Sequence, residues 1–415
     1  MSFQKLGWAI PLSVLAITAA AGSSPPAAAF SSAQRCTGVE GYAAAFGGRR
    51  TFTLRPAELQ AVRATIATDP AVKSAYTALM ARAEQALKRK PGSVLDKRTI
   101  PPSGDRNDYV SLAPYWWPDP ANPAGPYVRR DGSFNPERST NRFDRTALGR
   151  MASDADVLAL AYYYRGEKIY ADKVAAIVRA WFLDPATAMN PNMNYAQMVP
   201  GRSDGRPEGV LDTSAFIAVI DAVGLIAPAG ALSAAEVTAL EDWFSRYLDW
   251  MLSSPNGKGE GAKTNNHGIW YDAQVTRFAL FARRPDLARK VVADFPKNRI
   301  EKQMEPGGAL PEELSRTRSF HYSLYAIEPA YHVADSAACL GVDLYGWTDG
   351  KGRSLRAATD FVAAYRGRVE AWPHKEMKWP AAELDALLLR ADVAWPGVWQ
   401  RKGEGDVVLR YRVGD

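Results

Sequence analysis

The sequence predicts an all-α fold in which antiparallel helix hairpins close into a toroid. Three observations lead there. Apolar residues recur at spacings of three and four along most of the chain, which is the helical period. The intervening turns are short, so consecutive helices lie side by side. Alternation of β-branched residues is confined to one short candidate strand at 407–413. No strict repeat supports a regular solenoid, so a closed ring is expected rather than an open array.

Residues 1–29 read as a secretory signal peptide and stand outside this fold. Lys5 is their only charge, an apolar stretch follows from Leu6 to Ala21, and Ala27-Ala28-Ala29 offers a cleavage site before Phe30. A membrane anchor is the plain alternative. Gly7, Pro11 and Gly22 interrupt the run, however, and it falls short of the roughly 20 residues a span needs. No later segment is expected to cross a bilayer. A periplasmic or secreted protein is expected, with 30–415 forming a single toroidal domain and the mature chain acting as a monomer away from membranes.

Helices are expected at 56–88, at 154–164 and 168–182 around an Arg165-Gly166-Glu167 turn, and at 213–252, 266–293, 319–361 and 381–391. The clearest signal lies within the fourth. Ser233 and Glu236 form a capping-box pair, and Val237, Leu240, Phe244, Tyr247, Leu248 and Met251 make one apolar face. Between the helices lie three long segments read as loops. One, 101–141, contains SLAPYWWPDP and PYVRRDGSFNPE; the others are 184–209 and 255–268. Long loops rich in Tyr, Trp, Asn and Arg in a helical protein are more often functional than not.

Composition narrows the class. Of the 415 residues, 47% are hydrophobic and 23% charged, which excludes a disordered or fibrous chain. Lys+Arg number 51 against 45 Asp+Glu, without a basic block, so no nucleic-acid partner is expected; the mild excess suits an acidic one. The 12 Trp and 18 Tyr suit either a core or a sugar-stacking cleft. Cys36 and Cys339 are either one disulfide or two thiols. The four histidines, His267, His321, His332 and His374, lack zinc-type spacing, so no metal or other cofactor is expected.

Two constellations carry chemistry. In Thr264-Asn265-Asn266-His267-Gly268, at a loop-to-helix junction, Asn side chains can donate to a carboxylate and His267 can move a proton near neutrality. Helix capping by Asn is the alternative. In 312–325, a helix starting near Ser315 would align Arg318, Tyr322 and Tyr325. A guanidinium beside a tyrosine favours its phenolate and so lets it act as a base. A buried aromatic helix with surface arginines is the alternative. Together they supply a carboxylate neutraliser, a base and an acid, the set needed to remove the proton alpha to a sugar carboxylate and expel the C4 oxygen.

The motifs NNHGIWYD and ELSRTRSFHYS, with the upstream DYVSLAPYWWPDP and MNPNMNYAQ, resemble the alginate lyase superfamily, polysaccharide lyase families five and thirty-eight, over residues 101–365. The resemblance implies an incomplete (α/α) toroid and β-elimination on 1,4-linked polyuronates. It implies that Asn266 and Arg316 neutralise the carboxylate, that Tyr322 is the catalytic tyrosine, and that His267 assists or serves as base. Here His321 precedes Tyr322, whereas the family often has His after it. Arg318 replaces or reinforces Arg316. In β-D-mannuronate and β-D-glucuronate the C5 proton and C4 oxygen share a face, so Tyr322 suffices for both transfers. In α-L-guluronate they do not, and His267 must be the base. Mannuronate-rich alginate is the first expectation and glucuronan the second.

Supporting contacts are expected from Asn265, His321 and Tyr325, from Tyr115, Trp116 and Trp117 by stacking, and from Asn194, Tyr195 and Gln197 on neighbouring sugars. Arg202 and Arg206, and with them Arg129 and Arg130, suit carboxylates. Two other classes stay open. A hydrolase on the same ring would use paired carboxylates such as Asp212, Glu208 and Glu313. A non-catalytic sugar-binding protein would not need His267 and Tyr322 together.

Overall fold

Helix α1 (Pro56–Thr65) and helix α2 (Pro70–Lys88) begin the ring in the computed structural model, which describes residues 35–413. The segment read as a signal peptide lies outside those residues. Helices α3 (Arg145–Arg165), α4 (Lys168–Val178), α5 (Phe216–Ile226), α6 (Ala234–Ser253), α7 (Pro255–Gly261), α8 (Asn266–Phe281) and α9 (Pro285–Phe295) follow. Two short pieces, α10 (Glu301–Gln303) and α11 (Pro311–Leu314), lead to α12 (Ser319–Cys339), α13 (Leu355–Ala363) and α14 (Ala381–Ala391). Helix α3 packs on α2, α4 and α5; α8 on α5, α6, α9 and α12; α12 on α13 and α14. A 3-10 segment, Gly405–Leu409, joins α14 back to α1 and α2, and so the ring closes.

Local chemistry sets the boundaries. Asp69 caps α2 by accepting from Ala71 and Val72 N–H, with Pro70 in the first turn. Gly166 ends α3 in the left-handed region at φ 77°, its N–H returning to Tyr162 O. The Ser233–Glu236 capping box opens α6 as expected. The long stretches expected at 56–88, 213–252, 266–293 and 319–361 are each divided, because Pro70, Pro228 and Pro285 start new turns and α12 stops at Cys339.

Three expectations need correction. The candidate strand at 407–413 is instead the 3-10 turn that closes the ring. Val408 and Leu409 are fully buried there, and Tyr164 Oη donates to Leu409 O at 2.6 Å, so their apolar bulk fills a helical interface. The segment 255–268, read as a loop for its glycines, starts as helix α7, capped by Ser254 Oγ. Its glycines serve close packing: a Cβ on Gly257 would sit 2.0 Å from Met251 O. Pro207–Ala229 is long and apolar enough on composition to span a membrane, contrary to expectation, but it is mostly buried within the ring.

Four short strands organise the first two loop regions. β1 (Val110–Leu112) pairs in parallel with β4 (Tyr195–Met198). β2 (Trp116–Trp117) pairs antiparallel with β3 (Val128–Arg129), Trp116 opposite Arg129. Cys36 and Cys339 form a disulfide with Cα atoms 4.5 Å apart, which ties the N-terminal segment to the end of α12. Inside the ring lies a chamber of about 560 Å³, bordered by Thr53, Asp221, Trp270, Tyr325, Glu328 and Arg390.

Candidate active site

Asn266 opens helix α8 with its side chain 1% exposed. Its backbone N–H donates to Glu313 Oε1 at 2.6 Å and its Nδ2 to Oε2 at 2.8 Å, while Oδ1 is buried without a protein partner. Glu313 closes helix α11, three residues before Arg316. This pair of bonds is therefore the joint between the two sequence constellations. Burial pushes the Glu313 carboxyl up, and the bonds from Asn266 oppose that shift.

Asn265 is the N-cap of α8, its Oδ1 accepting from His267 N–H at 3.2 Å. His267 turns its Nδ1 toward Glu260 Oε1, 2.6 Å away on α7. An ionised Glu260 makes Nδ1 the protonated nitrogen and leaves the Nε2 lone pair free, the tautomer a base requires. Burial pushes Glu260 up, and His267 draws it back down. The α7–α8 turn that sets this pair is clamped by Arg299, which donates to Lys263 O and Gly261 O and pairs with Asp272 at 2.7 Å. Gly268 is needed there, since a Cβ would lie 2.1 Å from Lys263 O.

Helix α12 starts at Ser319, as drawn for 319–361, and not near Ser315 as the alignment of Arg318 with Tyr322 supposed. Arg318 is therefore its N-cap residue, and Tyr322 N–H donates to Arg318 O at 2.9 Å. The guanidinium at Tyr322 is that of Arg316, stacked 3.9 Å from the Tyr322 ring centroid. Its Nε is buried without a hydrogen bond, and its nearest carboxylate, Asp131, is 3.6 Å away. The backbone of Arg318 instead pairs with that of Glu376.

The loop carrying β2 and β3 lies over this centre. Tyr115 Oη and Tyr322 Oη are 2.7 Å apart. Burial and that bond push the Tyr115 phenol well up, so it stays neutral. Gly132 approaches so closely that a Cβ would lie 2.8 Å from Thr317 Oγ1. Trp116 and Trp117, half-buried, carry the guanidinium groups of Arg202 and Arg130 at 5.5 and 5.3 Å from their rings. Arg129 pairs with Asp131 at 2.8 Å.

Other expected contact residues are already engaged. Gln197, 4% exposed, donates to Glu208 O and accepts from Arg206 at 2.6 Å, so it positions Arg206. Asn194 Oδ1 accepts from Trp250 Nε1 at 2.8 Å, and Tyr195 sits half-buried in β4. His321 is held by Glu383 at Nδ1 and Glu376 at its N–H. Tyr325 stacks on His321, touches Trp270 and borders the inner chamber, one turn behind Tyr322. Asn266, His267, Arg316 and Tyr322 do not line that chamber.

The carboxylates considered for hydrolysis are occupied as well. Asp212 accepts from Tyr109 and Ser111 and pairs with Arg145, Glu208 pairs with Lys263, and Glu313 holds Asn266. Sequence reasoning missed Glu260, Asp131 and Glu383. A spacing of seven residues before His267 was the one signal for Glu260, and reading 255–268 as a loop concealed it.

The alginate lyase family profile matches residues 93–372, more than half of the chain. The chain belongs to the alginate lyase family. Accordingly it is a polysaccharide lyase with the α/α toroid of that family. An alginate lyase from Bacteroides ovatus is 34% identical with a TM-score of 0.83, covering 88% of this chain and 100% of its own. Alginate lyase A1-III from Sphingomonas species A1 is 17% identical with a TM-score of 0.55, covering 86% of this chain and 95% of its own; it shares the fold. No curated protein matches the sequence significantly.

Proposed function

We propose that this lyase cleaves alginate, mannuronate-rich blocks first, by β-elimination at the Asn266–His267–Arg316–Tyr322 site. The observation that carries the reading is the joint at Glu313, which ties Asn266 to the segment presenting Arg316 against Tyr322. The family membership and the substrate of the Bacteroides ovatus relative support it.

The substrate carboxylate binds between Asn266 and Arg316. Asn266 offers its second Nδ2 hydrogen, and Arg316 a guanidinium whose only ion pair among the described residues is the loose one to Asp131. Neutralised, the carboxyl group accepts the electron pair released when the C5 proton leaves. On mannuronate, Tyr322 takes that proton and returns it to the C4 oxygen as the C4–O bond breaks and the C4–C5 double bond forms. Arg316 compensates the negative charge that the Tyr322 oxygen carries before it takes the C5 proton and again after it gives that proton to the C4 oxygen. On guluronate, His267 Nε2 takes the proton and Tyr322 donates. Because Glu260 fixes the His267 tautomer, that second route is also equipped.

The chain is exported and works in the periplasm or outside the cell. The leader-like residues 1–29 and the Cys36–Cys339 disulfide, a bond of oxidising compartments, support this. Ultraviolet absorbance of the conjugated unsaturated uronate tests the reaction on polymannuronate, polyguluronate and glucuronan side by side. Absorbance growing fastest on polymannuronate is the expected result. Growth on glucuronan alone moves the substrate, and reducing ends without absorbance contradict elimination.

A further inference from the structure

A second cationic groove lies far from this site, at the other end of helix α3. Arg145, at the start of α3, pairs with Asp212 beside the cleft strands, whereas Tyr163 lies 18 residues on, about 27 Å along the axis. Around Tyr163 the loop before α1 and the outer face of α1 enclose a groove of about 460 Å³, bordered by Phe46, Arg49, Gln60, Arg63 and Tyr163.

The groove holds two guanidinium groups and no carboxylate. Arg49 and Arg63 each lie 5.7 Å from the centroid of the Tyr163 ring, and Arg49 also lies 5.4 Å from that of Phe46. Gly47 and Gly48, at φ 60° and 81°, make the left-handed turn that brings Arg49 back over Phe46. Neither arginine forms an ion pair with a described residue. Arg49 has one side-chain bond, to Phe46 O at 3.3 Å, and its Nε is buried without a partner. Two like charges against one ring repel each other unless an anion lies between them. A guanidinium stacked on an aromatic ring also keeps its in-plane N–H fork free, the geometry that grips a planar carboxylate with two bonds.

We infer that this groove is a second, non-catalytic binding site for the carboxylates of an acidic polysaccharide. The identity of the polymer rests on the reading of the active site given above. A strand held there keeps polymer near the cleft and raises its effective concentration, as a second binding point does. Oligosaccharides too short to reach across the flank gain nothing from it.

The test uses Arg63→Ala, at an exposed position, with Arg63→Lys and Arg49→Gln as companions and an unfolding curve for each to show that the fold is kept. Migration through gels containing polymannuronate reads binding directly. Turnover is followed on polymannuronate and on short oligouronates. The expected result is several-fold weaker retardation and a several-fold higher KM for polymer, with kcat and oligouronate turnover unchanged and partial recovery in Arg63→Lys. Equal retardation of wild type and Arg63→Ala overturns the inference. Titration with inorganic phosphate is the second arm: Arg63-dependent phosphate binding without Arg63-dependent retardation assigns the groove to phosphate instead. If wild type produces no unsaturated uronate from any polymer but shows Arg63-dependent retardation, the catalytic reading fails and the groove keeps its ligand class.

Discussion

Glu260 Oε1 and His267 Nδ1 lie 2.6 Å apart, with Glu260 1% exposed on one helix and His267 in the first turn of the next. The pair orients an imidazole that would otherwise choose its tautomer freely. Glu260→Gln replaces an anionic acceptor by a neutral amide and is expected to lower kcat roughly 10- to 100-fold on guluronate, where His267 is the base, with a smaller loss on mannuronate. Burial raises Glu260 against the pull of His267, so the carboxylate forms, and activity rises with it, at a higher pH than for a solvent-exposed glutamate. The variant should lose that acid limb from its pH–rate profile. An unchanged profile would remove Glu260 from the mechanism.

The hydroxyl groups of Tyr115 and Tyr322 lie 2.7 Å apart, so the overlying loop is fastened to the proposed catalytic tyrosine. Tyr115→Phe keeps the ring, with its contact to Phe134, and removes only that bond. Loss of one such bond is worth about 1 kcal/mol. A several-fold change in kcat/KM is expected, with unfolding free energy lowered by no more than about 1 kcal/mol, and steady-state kinetics beside a denaturation curve would read both.

The Cys36–Cys339 disulfide closes a loop spanning 303 positions of the sequence. Its loss frees the N-terminal segment in the unfolded chain and should cost about 2–4 kcal/mol. Denaturant unfolding of a Cys36→Ser, Cys339→Ser double variant would measure this. Reductant should lower the stability of wild type toward that of the variant and leave the variant unaffected.

Glu236 closes the capping box of α6 and also pairs with Arg179. Bonds from Arg179 and from Ser233 hold its carboxyl down at about 2, below the ordinary value of 4.5. A depressed carboxylate stabilises the fold above its unfolded value, and that contribution is lost as pH falls from 4.5 through about 2. Glu236→Gln should therefore cost about 1 kcal/mol at neutral pH and progressively less in acid. Urea unfolding at several pH values gives the two curves, which should converge at low pH.

The fold was legible because helix signals are local. Ser233 with Glu236 announced α6, and Ala381–Ala391 stands where its periodicity put it. What misled was residue type divorced from packing. Val407 and Val408 resemble a strand until the ring-closing turn is seen, and the glycines of α7 resemble a loop although they are there to let helices touch. Local motifs likewise pointed to Asn266, His267, Arg316 and Tyr322 as candidates, and Glu313 ties Asn266 to the segment that carries Arg316 and Tyr322. Their partners were not legible, because Glu260, Asp131 and Tyr115 reach them through contacts the sequence does not record. Periodicity also favoured Arg318 over Arg316 beside Tyr322, and the later start of α12 reverses that.

The most direct test of the central claim is Tyr322→Phe on polymannuronate, with binding of a saturated oligomannuronate and formation of the unsaturated product measured on the same preparation. In the proposed mechanism the Tyr322 hydroxyl moves the proton, whereas Asn266 and Arg316 hold the carboxylate. The variant should therefore bind the oligosaccharide as wild type does and lose at least about 100-fold in kcat. Retained turnover in a correctly folded variant would contradict elimination through Tyr322.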